Sequence, residues 1–333
     1  MWTLATALSS QFDSFRDHLY SQTKHMLESL DACENDMDFV MIEQVQAWLL
    51  LAFYEFARSN YRRGWVSAGR AFRLVQLARL HEIDCPEHNV ACADPVLTEE
   101  KRRTFWVAYC LDRFISIRKH WPLTLVEEVV SRLLSFVPCL SYSVVEDHNT
   151  DPILRRQICT RLPSPEHAFQ GGQVMQMPFL SEAIASDDHS MMSPLAECVV
   201  LSTICGRTLS HSQVSNVERA YGSTPADLWA RHEWLDGMLT KRLASLATTY
   251  PLISAPADPL MIFTFMIAHT TTIHLCQIME ASGIGVDCNS TALGYQKRAL
   301  RAAREIANLS KAHEHSGYFK VCCISRWKRH GGC

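Results

Sequence analysis

An all-α fold is predicted, and three observations predict it. Apolar residues recur at helical spacing through most of the chain. No stretch of any length alternates with the two-residue period of a strand. Prolines cluster between the periodic runs, where they punctuate rather than interrupt. The expectation is one multi-helix domain with irregular loops and no sizeable sheet, and no internal repeat of roughly 20 to 50 residues.

In chain order, residues 1–30 read as helical. Leu4, Leu8, Phe12, Phe15 and Leu19 follow one another at helical spacing. The acidic run DACENDMD (31–38) reads as a loop. Three helices then follow in a row: IEQVQAWLLLAFYEFARSN (42–60), YRRGWVSAGRAFRLVQLARLH (61–81) and LTEEKRRTFWVAYCLDRFISI (97–117). On the first, Val45, Leu49, Ala52, Phe53 and Phe56 mark a buried face. On the second, Trp65, Ala68, Phe72 and Val75 make the buried stripe, and Ala68 and Gly69 invite a close neighbour. Its other face carries Arg62, Arg63, Arg70, Arg73 and Arg79. Thr98 is the expected N-cap of the third helix, followed by Glu99 and Glu100 in the dipole-favoured first turn. Because residues 105–111 are apolar all round, this helix is expected to be the most buried.

After Ile117, WPLTLVEEV (121–129) reads as extended. Residues 163–194 hold Pro163, Pro165, Gly171, Gly172, Pro178 and Pro194 and read as irregular loop. Further helices are expected at 195–209, 226–250, 259–282 and 295–313, with Pro259 as the first residue of its helix.

Bulk composition narrows the function classes. The chain has 333 residues, 47% hydrophobic and 20% charged, a globular balance. With 32 basic against 35 acidic residues and a net charge of −3, it is a poor candidate for a direct polyanion binder. Its 13 cysteines are scattered, and nothing at the N-terminus reads as a secretory signal, so reduced thiols are expected. No uninterrupted apolar run reaches about 18 residues, so no membrane span is assigned.

No catalytic, cofactor-binding or metal-ligating residue is assigned. His313, His315, Cys322 and Cys323 (HEHSGYFKVCC) match no zinc spacing. His269 and His274 lie five apart on one helix, off a shared face, and read as core or interface histidines. The arginines of the second helix read as a solvated face, or as partners of acids such as Glu55 and Asp112. Cys110 reads as a small buried hydrophobe. Asp112 and Arg113 interrupt an apolar helix and read as an ion pair, since an unpaired buried charge is costly. The chain contains no G-x-S-x-G, G-x-G-x-x-G or P-loop motif.

Three stretches carry a resemblance: VQAWLLLAFYE (45–55), RRGWVSAGRAFRLVQLARLH (62–81) and EEKRRTFWVAYCLDRFIS (99–116), with the LDR triplet at 111–113. In this order they resemble the regulatory, or middle homology, domain of fungal zinc-cluster transcription factors. Weaker similarity extends over about residues 1–320, through ICTRLPSPEHAF (158–169) and 297–312. The resemblance implies a non-enzymatic, nuclear regulator of RNA polymerase II transcription. It implies a zinc cluster, N-terminal to this domain, that grips DNA. No C-x2-C pair occurs here, so zinc and direct DNA contact are expected to lie outside this chain. Implied partners are a homo- or heterodimeric relative, a small-molecule effector or co-regulator, and no membrane. The competing classes are a DNA-free interaction protein that dimerises with or inhibits related regulators, a truncated gene product without stable function, and a helical enzyme or carrier.

Two places depart from the family pattern. Residues 130–157 intervene where relatives run almost directly on, and two readings fit: a surface insertion, or a translated intron, since Val130-Ser131 can be encoded GTGAGT and Gln157 CAG. The basic tail VCCISRWKRHGGC (321–333) departs from the apolar helix expected there.

Overall fold

Helical periodicity is realised as helices throughout. The computed structural model describes residues 1–8, 10–32, 40–85, 94–127, 158–173, 175–186, 192–221, 225–250, 258–282 and 289–312. Among them are eleven α-helices and no strand: α1 (Trp2–Leu8), α2 (Asp13–Ala32), α3 (Ile42–Ala57), α4 (Tyr61–Leu77), α5 (Pro95–Ile117), α6 (Glu166–Gln170), α7 (Leu180–Ala185), α8 (Pro194–Tyr221), α9 (Pro225–Thr249), α10 (Pro259–Ser282) and α11 (Asn289–Ala312). A single 3-10 turn, Ser10–Phe12, joins α1 to α2. Residues 33–38, 130–157 and 313–333, which hold the acidic loop, the departure from the family pattern, the HEH histidines and the cysteine tail, lie outside the described residues.

The helices pack in a relay. α3 and α4 form a hairpin against α5, α5 lies on α8, α8 touches α9 and α10, and α10 pairs with α11. One hydrophobic core runs through all of these contacts, from Leu27 and Trp48 through Trp106 and Val199 to Leu275. The first expected helix pattern fails: Thr3 and Thr6 are buried, while Phe12 and Phe15 are exposed. The chain breaks between α1 and α2, so the phase of the apolar spacing is lost.

α5 is buried as expected, but α8 is at least as deeply placed. Residues 196–206 of α8 are buried without a gap. Ser202, Thr203 and Thr208 donate their hydroxyls back to the carbonyls of Cys198 (2.6 Å), Val199 (2.9 Å) and Ile204 (2.9 Å), so they need no solvent. α10 repeats the device at Thr264, Thr270, Thr271 and Thr272. The stretch Pro259–Ala281, with mean hydropathy 1.3, is long and apolar enough to cross a membrane by length and composition; 67% of it is buried inside the protein.

Helix ends also correct the sequence reading. α5 starts at Pro95 under the N-cap Asp94, whose carboxylate accepts from Val96 N at 3.0 Å. Thr98 is already inside the helix and donates its hydroxyl to the Asp94 carbonyl. At the other ends, α3, α4 and α5 share one cap. Ser59 (φ 62°), Arg79 (φ 51°) and His120 (φ 54°) are left-handed. The next amide, of Asn60, Leu80 or Trp121, returns to the carbonyl five residues back, of Glu55, Val75 or Ser116. This is the Schellman arrangement, in a position that usually takes glycine.

On α4 the buried stripe is Gly64, Ala68, Phe72 and Val75; Trp65 stands 48% exposed. The Trp65 ring finds Trp121 at 5.2 Å on the surface instead. Gly64, not Gly69, is the close approach. A Cβ at Gly64 would sit 2.9 Å from the Phe56 ring, whereas one at Gly69 meets nothing within 4 Å.

Residues 163–194 are not wholly irregular, since α6 and α7 form there. The segment before them, 158–164, runs extended through the interior and is fastened on several sides. Cys159 exchanges backbone hydrogen bonds with His81 and Asp84, at 2.8 and 2.9 Å. Thr160 donates its hydroxyl to the Leu80 carbonyl at 2.8 Å. The Arg161 carbonyl accepts from Trp106 Nε1 at 2.7 Å, and Leu162 N donates to the Pro178 carbonyl at 3.0 Å.

Candidate functional site

Two polar regions are buried deeply enough to have a function beyond packing. The first surrounds α5. Asp112 and Arg113 are each 1% exposed and form the expected pair, at 3.6 Å. The pair is weak compared with its backbone partners. Asp112 Oδ2 accepts from Thr124 N at 2.9 Å and Leu125 N at 2.8 Å. Arg113 donates to the Tyr109 carbonyl at 3.0 Å and the Leu125 carbonyl at 2.7 Å. Burial holds the Asp112 carboxyl above the usual range, against the pull of Arg113 and the two amides. These contacts fix the chain that leaves α5. Gly206 of α8 makes room for them, since a Cβ there would lie 3.2 Å from Arg113.

At the start of α5, Glu99 accepts from Ser164 N at 2.8 Å and from Arg103 Nε at 3.3 Å. Arg103 Nη1 reaches Glu166 at 2.5 Å, and Arg102 pairs with Asp84. Asp84 also accepts from Arg161 N at 2.8 Å. These carboxylates therefore tie α5 to the extended segment 158–164.

The arginine stripe of α4 is mostly solvated: Arg62, Arg63, Arg73 and Arg79 are exposed. Arg70 pairs with Glu28 and Asp31 at 3.6 Å, not with the two acids proposed for the stripe. Glu55, fully buried, is instead held by the hydroxyls of Tyr20 and Ser67, both at 2.6 Å. Burial, with Glu55 beside it, pushes the Tyr20 phenol up to about 12. Cys110 is buried, and burial raises its thiol well above the ordinary value, the opposite of an activated nucleophile.

The second region lies where the end of α5 meets α8 and α10. His120, Ser212, Ser215, Asn216, Arg219, His274, Gln277, Ile278 and Ala281 line a cleft of about 180 Å³. The His120 and His274 rings are 4.8 Å apart. His274 is 5% exposed, and its Nε2 has no hydrogen-bond partner. Deeper in, His211 of α8 and His232 of α9 face each other at 6.0 Å, again with unpartnered ring nitrogens. Burial, reinforced by neighbouring positive groups, lowers His211 and His274 to about 4. Burial lowers His232 as well. His269, by contrast, is only half-buried. Sequence reasoning placed His274 in the interior but missed the cleft. The expected helix at 195–209 stopped short of Ser212–Arg219, whose polar run gave no helical stripe. Among the described residues no group of three His, Cys, Asp or Glu side chains is placed to hold a metal ion.

Comparison with known proteins adds the following. The model of the family described as fungal specific transcription factor domain matches residues 4–210. The chain is 41% identical over 328 residues to the pigment biosynthesis transcriptional activator of Monascus ruber, covering 96% of this chain and 54% of that protein. It is 42% identical over 322 residues to the citrinin biosynthesis transcriptional activator of Monascus purpureus, covering 96% and 51%. It is 38% identical over 325 residues to the azaphilone cluster-specific transcription factor of Aspergillus niger, covering 96% and 63%. The chain thus spans roughly half to two thirds of the length of these relatives. No solved structure matches it.

Proposed function

Because the chain belongs to the family of the fungal specific transcription factor domain, we propose that it is the part of a gene regulator that governs activation of a fungal biosynthetic gene cluster. The observation that carries this reading is the family match over residues 4–210, with relatives named as activators of pigment and citrinin biosynthesis. In this reading the domain neither turns over a substrate nor holds a cofactor. DNA contact and zinc belong to a module outside this chain, and the protein acts in the nucleus.

Mechanistically, the relay of helices supplies what a regulatory domain needs. α5 and α8 are long unbroken helices packed on each other, which gives a contact at one end a route to packing elsewhere. A partner or metabolite that binds one packing state better shifts the population toward it.

The experiment is disruption of the gene in its source fungus, followed by transcript profiling and chromatin precipitation of the tagged protein. Loss of coordinated expression across one cluster of biosynthetic genes, with the tagged protein at their promoters, is the expected outcome. Unchanged transcripts would overturn the reading. Altered transcripts without promoter occupancy would point to the DNA-free alternative, in which the chain acts by pairing with a related regulator.

A further inference from the structure

We propose that the cleft between the end of α5, the last third of α8 and the last third of α10 is a binding site for a small organic carboxylate. Four observations carry this. The donor-capable side chains that line it are His120, Ser212, Asn216, Arg219, His274 and Gln277, while the Ser215 hydroxyl already donates to the His211 carbonyl at 2.6 Å, and no Asp or Glu lines the cleft. An acceptor-rich, negatively charged guest is the complement of such a wall. Second, His274 Nε2 is buried and unpartnered. Buried polar atoms are normally satisfied, so this one asks for a partner that comes from outside the chain. Third, the cap that ends α5 places the His120 ring 4.8 Å from His274. Fourth, the acid nearest in sequence to Arg219 is already engaged: Glu218 pairs with Arg231 of α9.

Size and charge narrow the class. About 180 Å³ is less than the ~300–1,000 Å³ of drug-sized sites, so the guest is small. Arg219 provides one fixed positive charge and the planar fork that carboxylates match in a bidentate way. A dicarboxylate can place one group on Arg219 and leave the other to solvent, whereas a phosphate dianion carries both its charges into the cleft. The two imidazoles then donate to the second oxygen or to a hydroxyl on the guest. Because α5, α8 and α10 all contribute, an occupied cleft links three helices of the relay. The regulatory meaning of that link rests on the function proposed above; the binding itself does not.

The test uses the 333-residue chain at neutral pH and constant ionic strength, with succinate, acetate and inorganic phosphate as probes. Thermal unfolding and imidazole nitrogen NMR are read together. Succinate at ~10 mM is expected to raise the unfolding midpoint by mass action and to move the ring resonances of His274 and His120. Arg219→Gln, at an exposed position, is expected to weaken succinate binding at least about tenfold without altering the fold. His274→Gln should abolish the response, and if that variant does not fold, His120→Gln serves in its place. No midpoint shift and no imidazole response with any probe would overturn the site. A response that survives Arg219→Gln undiminished would also overturn it. Phosphate binding as well as succinate would overturn the carboxylate assignment. None of these outcomes touches promoter occupancy, so failure here is separable from failure of the regulatory reading.

Discussion

The interior around α5 and the interior around α8–α10 solve the same problem differently. Around α5 the buried carboxylates are each met by several donors, although Arg113 Nε and Ser164 Oγ have no partner among the described residues. Asp112 has two amides and Arg113, Glu99 has Ser164 N and two arginines, and Glu55 has two hydroxyls. Around α8–α10 three buried imidazoles, His211, His232 and His274, keep ring nitrogens without partners. The first arrangement specifies one structure, because every alternative leaves a charge stranded. The second stores unsatisfied hydrogen-bonding capacity, which a proton or a guest can claim. The matched family stretch, 4–210, contains the first region and stops one residue before His211.

The largest expected effect would break the first side of this comparison. Asp112→Ala removes the acceptor of two backbone amides and leaves Arg113 buried without its counter-charge. A loss of about 3–5 kcal/mol is expected in urea unfolding. A loss of less than about 1 kcal/mol would show that the α5 network does not specify the fold.

Acid challenges the second side. In the folded chain His211 and His274 titrate near 4, and in the unfolded chain near 6.5. The unfolded chain therefore takes up protons first as pH falls. The stability these residues contribute is complete above pH 6.5 and is lost progressively below it. By pH 5 each costs about 2 kcal/mol. Asp112 works in the opposite direction, because burial raises its carboxyl, and so offsets part of the loss in stronger acid. Unfolding midpoints measured from pH 7.5 to 5 should fall steeply in the wild type and less so in His211→Gln. A flat profile would mean that these rings are solvated in the folded state.

The smallest effect sharpens the contrast. Arg79→Gly relieves a left-handed cap at the end of α4 and gives up a 3.8 Å surface contact with Glu82. A gain of about 0.5–1 kcal/mol is expected, since the conformational relief exceeds the entropy cost of glycine. Thermal unfolding reads it directly, and destabilisation would count against the cap assignment.

The difference between the two regions is also a difference in legibility. α3, α4, α5 and α10 could be placed within a few residues, because apolar spacing and Pro259 are local signals. The Asp112–Arg113 pair was foreseeable because charge inside an apolar run demands a partner. What misled were features decided by distant chain. Trp65 faces out because Trp121 waits there, and Gly64 is required because Phe56 arrives beside it. α6 and α7 are too short to show a period. The cleft was invisible, because its wall is made from residues about 60 to 150 positions apart, brought together only by the packing of α5, α8 and α10. The depth of α8 was not legible either, because its hydroxyls are satisfied by carbonyls of their own helix rather than by solvent.

The extended segment 158–164 has a consequence for covalent continuity. It is sewn to Leu80–Asp84, to Trp106 and to Glu99, all from the chain before residue 127. The pieces 1–127 and 158–333 are therefore halves of one interior, each exposing a face that only the other can cover. A nick between them is expected to leave the two pieces joined through the shared core, and gel filtration of a chain cleaved there would read this as co-elution.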